Sequence, residues 1–315
     1  MYQNRIIGRY TGEEKGPLLI VFGQMHGNEP AGTKAIDLML KMLEVEPITN
    51  PDFIYRGRML GLTGNLKAAN KGIRFIEKDL NRCWTESNIK RINQSTPDAL
   101  HAEEQEIREL MNIITKELEE YKPDKVYVLD LHTTSSNGGI FTIVPDLDES
   151  IRIGMKLNAP VVLGLLEGVK GTSTEYFDEK ALGVPTVSLT FESGNHDDVL
   201  SINRAIAAMT NLMGIIGNID PKHVENRHNI LLQKYSENLP KLSKLIYKHS
   251  IDDQDGFIMN PGYKNFQKIS KNEFLAKDNK GKVLAPYDGR ILMPLYQKQG
   301  EDGFFIIKEI NATSF

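Results

Sequence analysis

Apolar and polar positions follow two periods along this chain, and the periods divide it into elements. Leu18 to Phe22, "LLIVF", is a continuous apolar run that stops at Gly23. A run that short and unbroken predicts a strand buried on both faces, as in a parallel sheet. After it, Ile36, Met39, Leu40 and Leu43 recur at three- and four-residue intervals, the spacing of one helix face, with Pro30 suited to the first turn. "RMLGLTGN" predicts another short strand and a turn. Thr96, Pro97 and Asp98 form a helix-start signal, Thr96 as cap and Pro97 in the first turn. The stripe Ile107, Leu110, Met111, Ile114 and Leu118 then runs until "YKPD" stops it. "VYVLDL" (126–131), "IFTIV" and "VPTVSLTFE" (184–192) predict three more strands, and Val199, Ile202, Ile206, Met209, Met213 and Ile216 a long amphipathic helix. Strands alternating with helices predict an α/β fold with a mostly parallel central sheet covered by helices.

The texture changes near Asp220. "ENRHNILLQKYSENLP" predicts a connecting helix, and from Lys241 short strand-like pieces are separated by turn signals such as "DDQDG", "NPG", "DNKG" and "YDG". This predicts two domains: an α/β catalytic domain over 1–225, and a connecting helix plus a small all-β domain over 226–315. No tandem repeat is visible.

Composition narrows the function class. The 315 residues carry a formal net charge of −4, which argues against a dedicated nucleic-acid binder. No apolar run approaches the length of a membrane span. One cysteine cannot form an internal disulfide and suits a reducing compartment. With no secretory leader evident in "MYQNRIIGRYTGEEKG", the expected location is the cytoplasm. Nothing in the pattern decides whether the chain forms a homo-oligomer.

Unusual chemistry gathers where the buried strands end. "HGNE" follows the first strand, His132 follows "VYVLDL", and Glu192 closes "VPTVSLTFE". In open α/β sheets ligands bind beyond the carboxyl ends of the strands, so residues distant in sequence can meet there. Histidine and glutamate are zinc ligands, and a catalytic zinc takes three protein ligands and leaves a fourth position open. His26 and Glu29 supply two, with glycine beside His26 letting the backbone turn closely around an ion. His132 is the best-placed third and His196 its rival; the remaining histidines sit in polar contexts and read as solvated. Glu29 could instead serve the first turn of a helix, and His132 could be a core histidine. Glu192 reads either as a surface residue or as a general base. In "RFIEKDLNRCW", Arg74, Asn81 and Arg82 could grip a carboxylate; the alternative is a solvated surface paired with Glu77 and Asp79. Cys83 reads as packing.

Together, "GQMHGNEPAG", "RFIEKDLNR", "DLHTTSSNGG" and "FESGNH" resemble, in order and spacing, the succinylglutamate desuccinylase/aspartoacylase family, which is related to the zinc carboxypeptidases. "APYDGRILMPLYQKQGEDGFF" resembles that family's C-terminal β-domain. The resemblance implies one zinc ion per chain on His26, Glu29 and His132, and Glu192 as general base toward the attacking water. It implies substrate binding by Arg74, Asn81 and Arg82, with Arg82 also stabilising the oxyanion, and by Tyr296, the nearest match to a family tyrosine. Its substrate would be a small N-acyl amino acid or related carboxylate, deacylated by amide hydrolysis. One departure is visible: the family's aspartoacylases carry an arginine about ten residues before the glutamate, whereas Lys180 is the only cation in "TEYFDEKALGVPTVSLTFE". Two alternatives stay open, a carboxypeptidase removing a C-terminal residue and a non-catalytic binding module that keeps zinc for structure.

Overall fold

The computed structural model describes residues 4–224, 227–252 and 254–311. Its strands are β1 (Ile6–Thr11), β2 (Glu14–Gly23), β3 (Arg56–Thr63), β4 (Val126–Thr134), β5 (Phe141–Ile143), β6 (Val161–Leu163) and β7 (Thr186–Asn195). The C-terminal part adds β8 (Leu242–Ser250), β9 (Ile258–Met259), β10 (Lys268–Ile269), β11 (Phe274–Asp278), β12 (Gly281–Leu284), β13 (Gly289–Leu292) and β14 (Asp302–Glu309). One sheet runs in the order β1-β3-β2-β4-β7-β5-β6-β8-β14-β13-β10, and β12-β11-β9 form a separate small antiparallel sheet.

The continuous apolar runs resolve into two alternating faces. Leu19 and Val21 of β2 point into a core closed by the helices Ala31–Thr49 and Leu200–Ile216. Leu18, Ile20 and Phe22 point into the opposite core, closed by Ile107, Leu110 and Ile114 of the helix Ala102–Tyr121. Successive strand side chains point to opposite faces, so a strand covered by helices on both sides must be apolar at every position.

The central strands are mostly parallel, as expected, with β5 also parallel to β6, but the sheet as a whole is mixed. β3, β2, β4 and β7 are parallel, but β5 runs antiparallel to β7 and β1 antiparallel to β3. β8 pairs parallel to β6 and antiparallel to β14, so the C-terminal strands prolong the central sheet. The fold is therefore mixed α/β with one large sheet and one small antiparallel one. The expected domain boundary, between residues 225 and 226, lies outside the described residues; the connecting helix is Arg227–Ser236.

Two helix starts also differ. Pro30 precedes the first helical residue as its cap. Thr96 and Pro97 begin only a short 3₁₀ turn, Pro97–Ala99, because Leu100 and His101 are extended. The long helix begins at Ala102, where Glu104 accepts a hydrogen bond from the His101 backbone N–H at 3.0 Å.

Candidate active site

The loop after β2 is built to present two side chains in one direction. Gln24 takes a left-handed backbone conformation at φ 54°. Its side-chain amide donates to Gly27 O at 2.7 Å, and its carbonyl accepts from Thr33 Oγ1 at 2.7 Å. The Glu29 N–H closes the turn on His26 O at 3.0 Å. Gly27 is required for space: a Cβ there would lie 2.2 Å from the Ala68 carbonyl carbon. Its φ is ordinary, so close packing, not an unusual turn, explains the glycine.

His26, Glu29 and His132 come together, all buried, with one ligand atom from each lying within 4.8 Å of the others. His26 Nδ1 is 2.9 Å from Glu29 Oε1, and His132 Nδ1 is 3.3 Å from Glu29 Oε2. The Thr133 backbone N–H donates to Glu29 Oε2 at 2.9 Å and fixes the carboxylate. The far nitrogens each face another carboxylate: His26 Nε2 stands 3.1 Å from Asp79 Oδ1, and His132 Nε2 stands 3.0 Å from Asp130 Oδ2. The second contact is off the line of a hydrogen bond, which leaves His132 Nε2 buried without one; Asp130 Oδ2 accepts from Ser173 Oγ instead, and Asp130 Oδ1 is buried without a partner. Two imidazoles and a carboxylate converging this way, each ring backed by an acid, fit the donor set of a zinc-type ion.

His132 and Glu192 lie within their strands, not after them. β4 continues to Thr134 and β7 to Asn195, and the parallel register sets His132 directly beside Glu192. Glu192 Oε2 is buried without a hydrogen-bond partner. Burial, opposed by His132 and reinforced by the charges of Glu29 and Asp130, pushes the Glu192 carboxyl up to about 8. Burial would raise Glu29 too, but the His26 charge and hydrogen bonds from both histidines hold it well below the usual carboxylate range. Burial opposes, and Asp130 and Glu29 overcome it, in holding His132 well above the ordinary imidazole value.

Arg74, Asn81 and Arg82 line the same cleft. Arg74 donates from Nε and Nη2 to Asp79 Oδ2 at 3.1 and 2.9 Å, and its Nη1 is 3.6 Å from Glu29 Oε1. Its side chain is only 11% exposed, so it is no solvated surface group, and Glu77 pairs with His101 instead. Asn81 Oδ1 accepts from the Ser173 N–H at 2.9 Å. Arg82 donates to Asp302 Oδ2 at 2.8 Å. The loop carrying Arg74 and Asp79 hangs on buried Glu103, which accepts from the backbone N–H groups of Ile76, Glu77 and Lys78.

Residues 15–215 match the succinylglutamate desuccinylase/aspartoacylase catalytic domain. The chain belongs to this family. It is 32% identical over 128 residues to a protein of Nostoc sp. whose name reads "Probable aspartoacylase", a stretch covering 41% of this chain and 39% of that one. It is 36% identical over 89 residues, 28% of this chain and 24% of the other, to the succinylglutamate desuccinylase of Pseudomonas fluorescens. The chain thus aligns with less than half the length of these curated relatives. A crystal structure of the succinylglutamate desuccinylase/aspartoacylase from Rhodobacter sphaeroides superposes with a TM-score of 0.65 at 17% identity, over 95% of this chain and 87% of that one. At that identity the likeness is one of fold.

His196, Tyr296 and Lys180 take different places in this desuccinylase/aspartoacylase fold, only the first of them beside the cleft. His196 is engaged at both ring nitrogens, with Thr133 Oγ1 at 2.7 Å and Gln297 Oε1 at 3.2 Å, and burial lowers its pKa. Tyr296 is not brought to the cleft: its hydroxyl donates to Asn260 O at 2.8 Å and accepts from the Tyr263 N–H at 2.9 Å. Its neighbour Gln297 lines the cleft in its place. Lys180 is exposed and pairs with Glu86. His249, read from sequence as solvated, is half-buried and stacked on Phe304 at 4.9 Å. Asp79, Asp130, Gln297 and Asp302 were not singled out by the sequence as site residues. Of these only Asp130 carries a local signal, since it stands two residues before His132 on the same strand face.

Proposed function

We propose that this chain is a zinc-dependent hydrolase that cleaves the amide bond of an N-acylated amino acid or a similar small carboxylate. The observation that carries the reading is the convergence of His26, Glu29 and His132 beside the buried carboxyl of Glu192. His26, Glu29 and His132 would hold the ion. Zinc there would supply a Lewis acid and make water a stronger nucleophile near neutral pH. Glu192 accepts a proton from the attacking water at its carboxylate and returns it to the leaving nitrogen, so that water is added across the C–N bond. Arg74, Asn81 and Arg82 seat the substrate carboxylate, and Arg82 also donates to the developing oxyanion. Family membership and the two-histidine, one-carboxylate donor set support this reading, as does the relation to the zinc carboxypeptidase fold that we propose with it.

The test is metal analysis of the purified chain followed by a hydrolysis panel of N-acetyl, N-succinyl and longer N-acyl amino acids beside short peptides. About one zinc per chain and release of free amino acid from acylated substrates are expected. Release of C-terminal residues from peptides, with acyl amino acids untouched, would point to a carboxypeptidase. Zinc retained with no amide cleaved would leave a binding module.

A further inference from the structure

The cleft beside the metal ligands has two chemistries. Its polar part holds Arg74, Asn81, Arg82 and Glu192, and its other wall is apolar: Ile143, Leu165, Leu166, Val169, Leu295 and Phe305. Ile143, Leu165, Val169 and Phe305 belong to one buried cluster, packed against Leu166, that opens into the cleft. Among the described residues, the cleft's arginine and lysine cations are Arg74 and Arg82. Both already face acids: Arg74 faces Asp79 and Glu29, and Arg82 faces Asp302. The charges lining the cleft near Arg82 are themselves acidic, Glu301 and Asp302. Lys248 approaches the cleft only as far as Asp302, 3.0 Å from its Oδ1. Lys180 is spent on the surface with Glu86.

A substrate with one carboxylate can be held by the arginines. A second carboxylate would meet apolar side chains, other acids or neutral hydroxyl and amide groups, with no further arginine or lysine among the described lining residues, and burying an ion without an opposite charge is unfavourable. An aliphatic or aromatic group meets a wall that is already dry and shaped. We propose that the substrate is an amide with a single carboxylate and an apolar group, not a dicarboxylate of the N-acetylaspartate or N-succinylglutamate kind. The carboxylate seats at Arg74, Asn81 and Arg82, and the apolar group lies against Leu165, Leu166, Val169 and Phe305. This rests on the amide-hydrolase reading and adds the class of substrate to it.

The experiment compares kcat/KM of the zinc-loaded full chain on two sets. One set is N-acetyl, N-butanoyl, N-hexanoyl and N-benzoyl derivatives of leucine, methionine and phenylalanine. The other is N-acetylaspartate, N-acetylglutamate and N-succinylglutamate. The apolar monocarboxylates should exceed the dicarboxylates by on the order of 10–100-fold, the discrimination that a pocket contact of this kind provides. Leu166→Arg places a cation in the wall at a half-buried position and should shift the ratio at least about 10-fold toward the dicarboxylates. Leu295→Arg does the same from the opposite segment if the first variant fails to fold by circular dichroism. Dicarboxylates preferred by the wild-type chain would overturn the proposal and leave amide hydrolysis standing. If no amide is cleaved, the hydrolase reading fails, and calorimetric binding of hexanoate against succinate still decides the wall: succinate binding as tightly as hexanoate would overturn it.

Discussion

Glu192 and His132 face each other across two parallel strands, and the consequences of that pairing are measurable. Glu192→Gln keeps the shape of the side chain and removes its capacity to take a proton. It is expected to keep zinc and fold but to lose ~10²–10⁴-fold in turnover, with substrate affinity changed much less; single-turnover kinetics separates the two effects. The same substitution has a signature in stability. The unfolded carboxyl loses its proton near 4.5 and the folded, metal-free one near 8. Between those values folding retains a proton that unfolding releases, so metal-free stability falls as pH rises. Metal-free Glu192→Gln should therefore melt above wild type at pH 8, with the gap closing toward pH 5. Equal melting temperatures at pH 8 would remove the raised carboxyl from the account. Asp130 acts through His132, to which it stands 3.0 Å away while accepting from Ser173 Oγ at 2.5 Å. Asp130→Asn should weaken zinc binding by about 10–100-fold, read by competition with a chelator, while His196→Ala leaves zinc content unchanged. The convergence of His26, Glu29 and His132, with Glu192 beside them, was legible in the sequence because each follows or ends an apolar run. Asp302 was not, since it meets Arg82 across 220 positions that only the folded sheet brings together.

At the scale of elements, the long apolar runs and the helical stripes were legible because burial on two faces or on one stripe leaves a period in the sequence. Direction was not: β5 has three residues, and nothing in "IFTIV" says that it will run against β7. Helices of four residues, Leu165–Gly168, Ser173–Tyr176 and Glu179–Leu182, are too short to show a period. The helix Ala102–Tyr121 starts beyond the local signal of Thr96 and Pro97, because Leu100 and His101 between them are extended. The loop after β2 offers the clearest test of an element. In Gly27→Ala the added methyl collides with backbone of Ala68, Ala69 and Ile73, which cannot swing aside as a side chain could. The variant should lose ~1–3 kcal/mol and zinc affinity together, seen by denaturant titration and metal analysis. Loss of neither would show that the loop accommodates a side chain and that its packing does not set the ligand geometry.

Across the whole molecule, the expected two-part division meets a sheet that does not stop. We propose that residues 1–225 and 226–315 are separate units of sequence that share one core through the β6–β8 pairing. A chain ending at residue 225 leaves β6 as an open edge and uncovers Phe141, Val162 and Leu165, which pack against Phe266, Leu292 and Phe305. It should express as aggregate, whereas a chain cut by protease near 225 should remain one particle by size-exclusion chromatography. Separation of the cut halves in native buffer would contradict the shared core.

The three proposed ligand residues lie between positions 26 and 132 and Glu192 follows on β7, while Leu295, Gln297, Asp302 and Phe305, which enclose the cleft, come from the last part of the chain. The matched catalytic region ends at residue 215, before any of them. On the proposed reading, the groups that would hold the ion and move the proton all lie before residue 215, whereas the wall that would select the substrate draws on both stretches, Leu165, Leu166 and Val169 before it and Leu295 and Phe305 after it. Changes at Leu295 or Phe305 would therefore reshape one side of the cleft and leave His26, Glu29, His132 and Glu192 untouched.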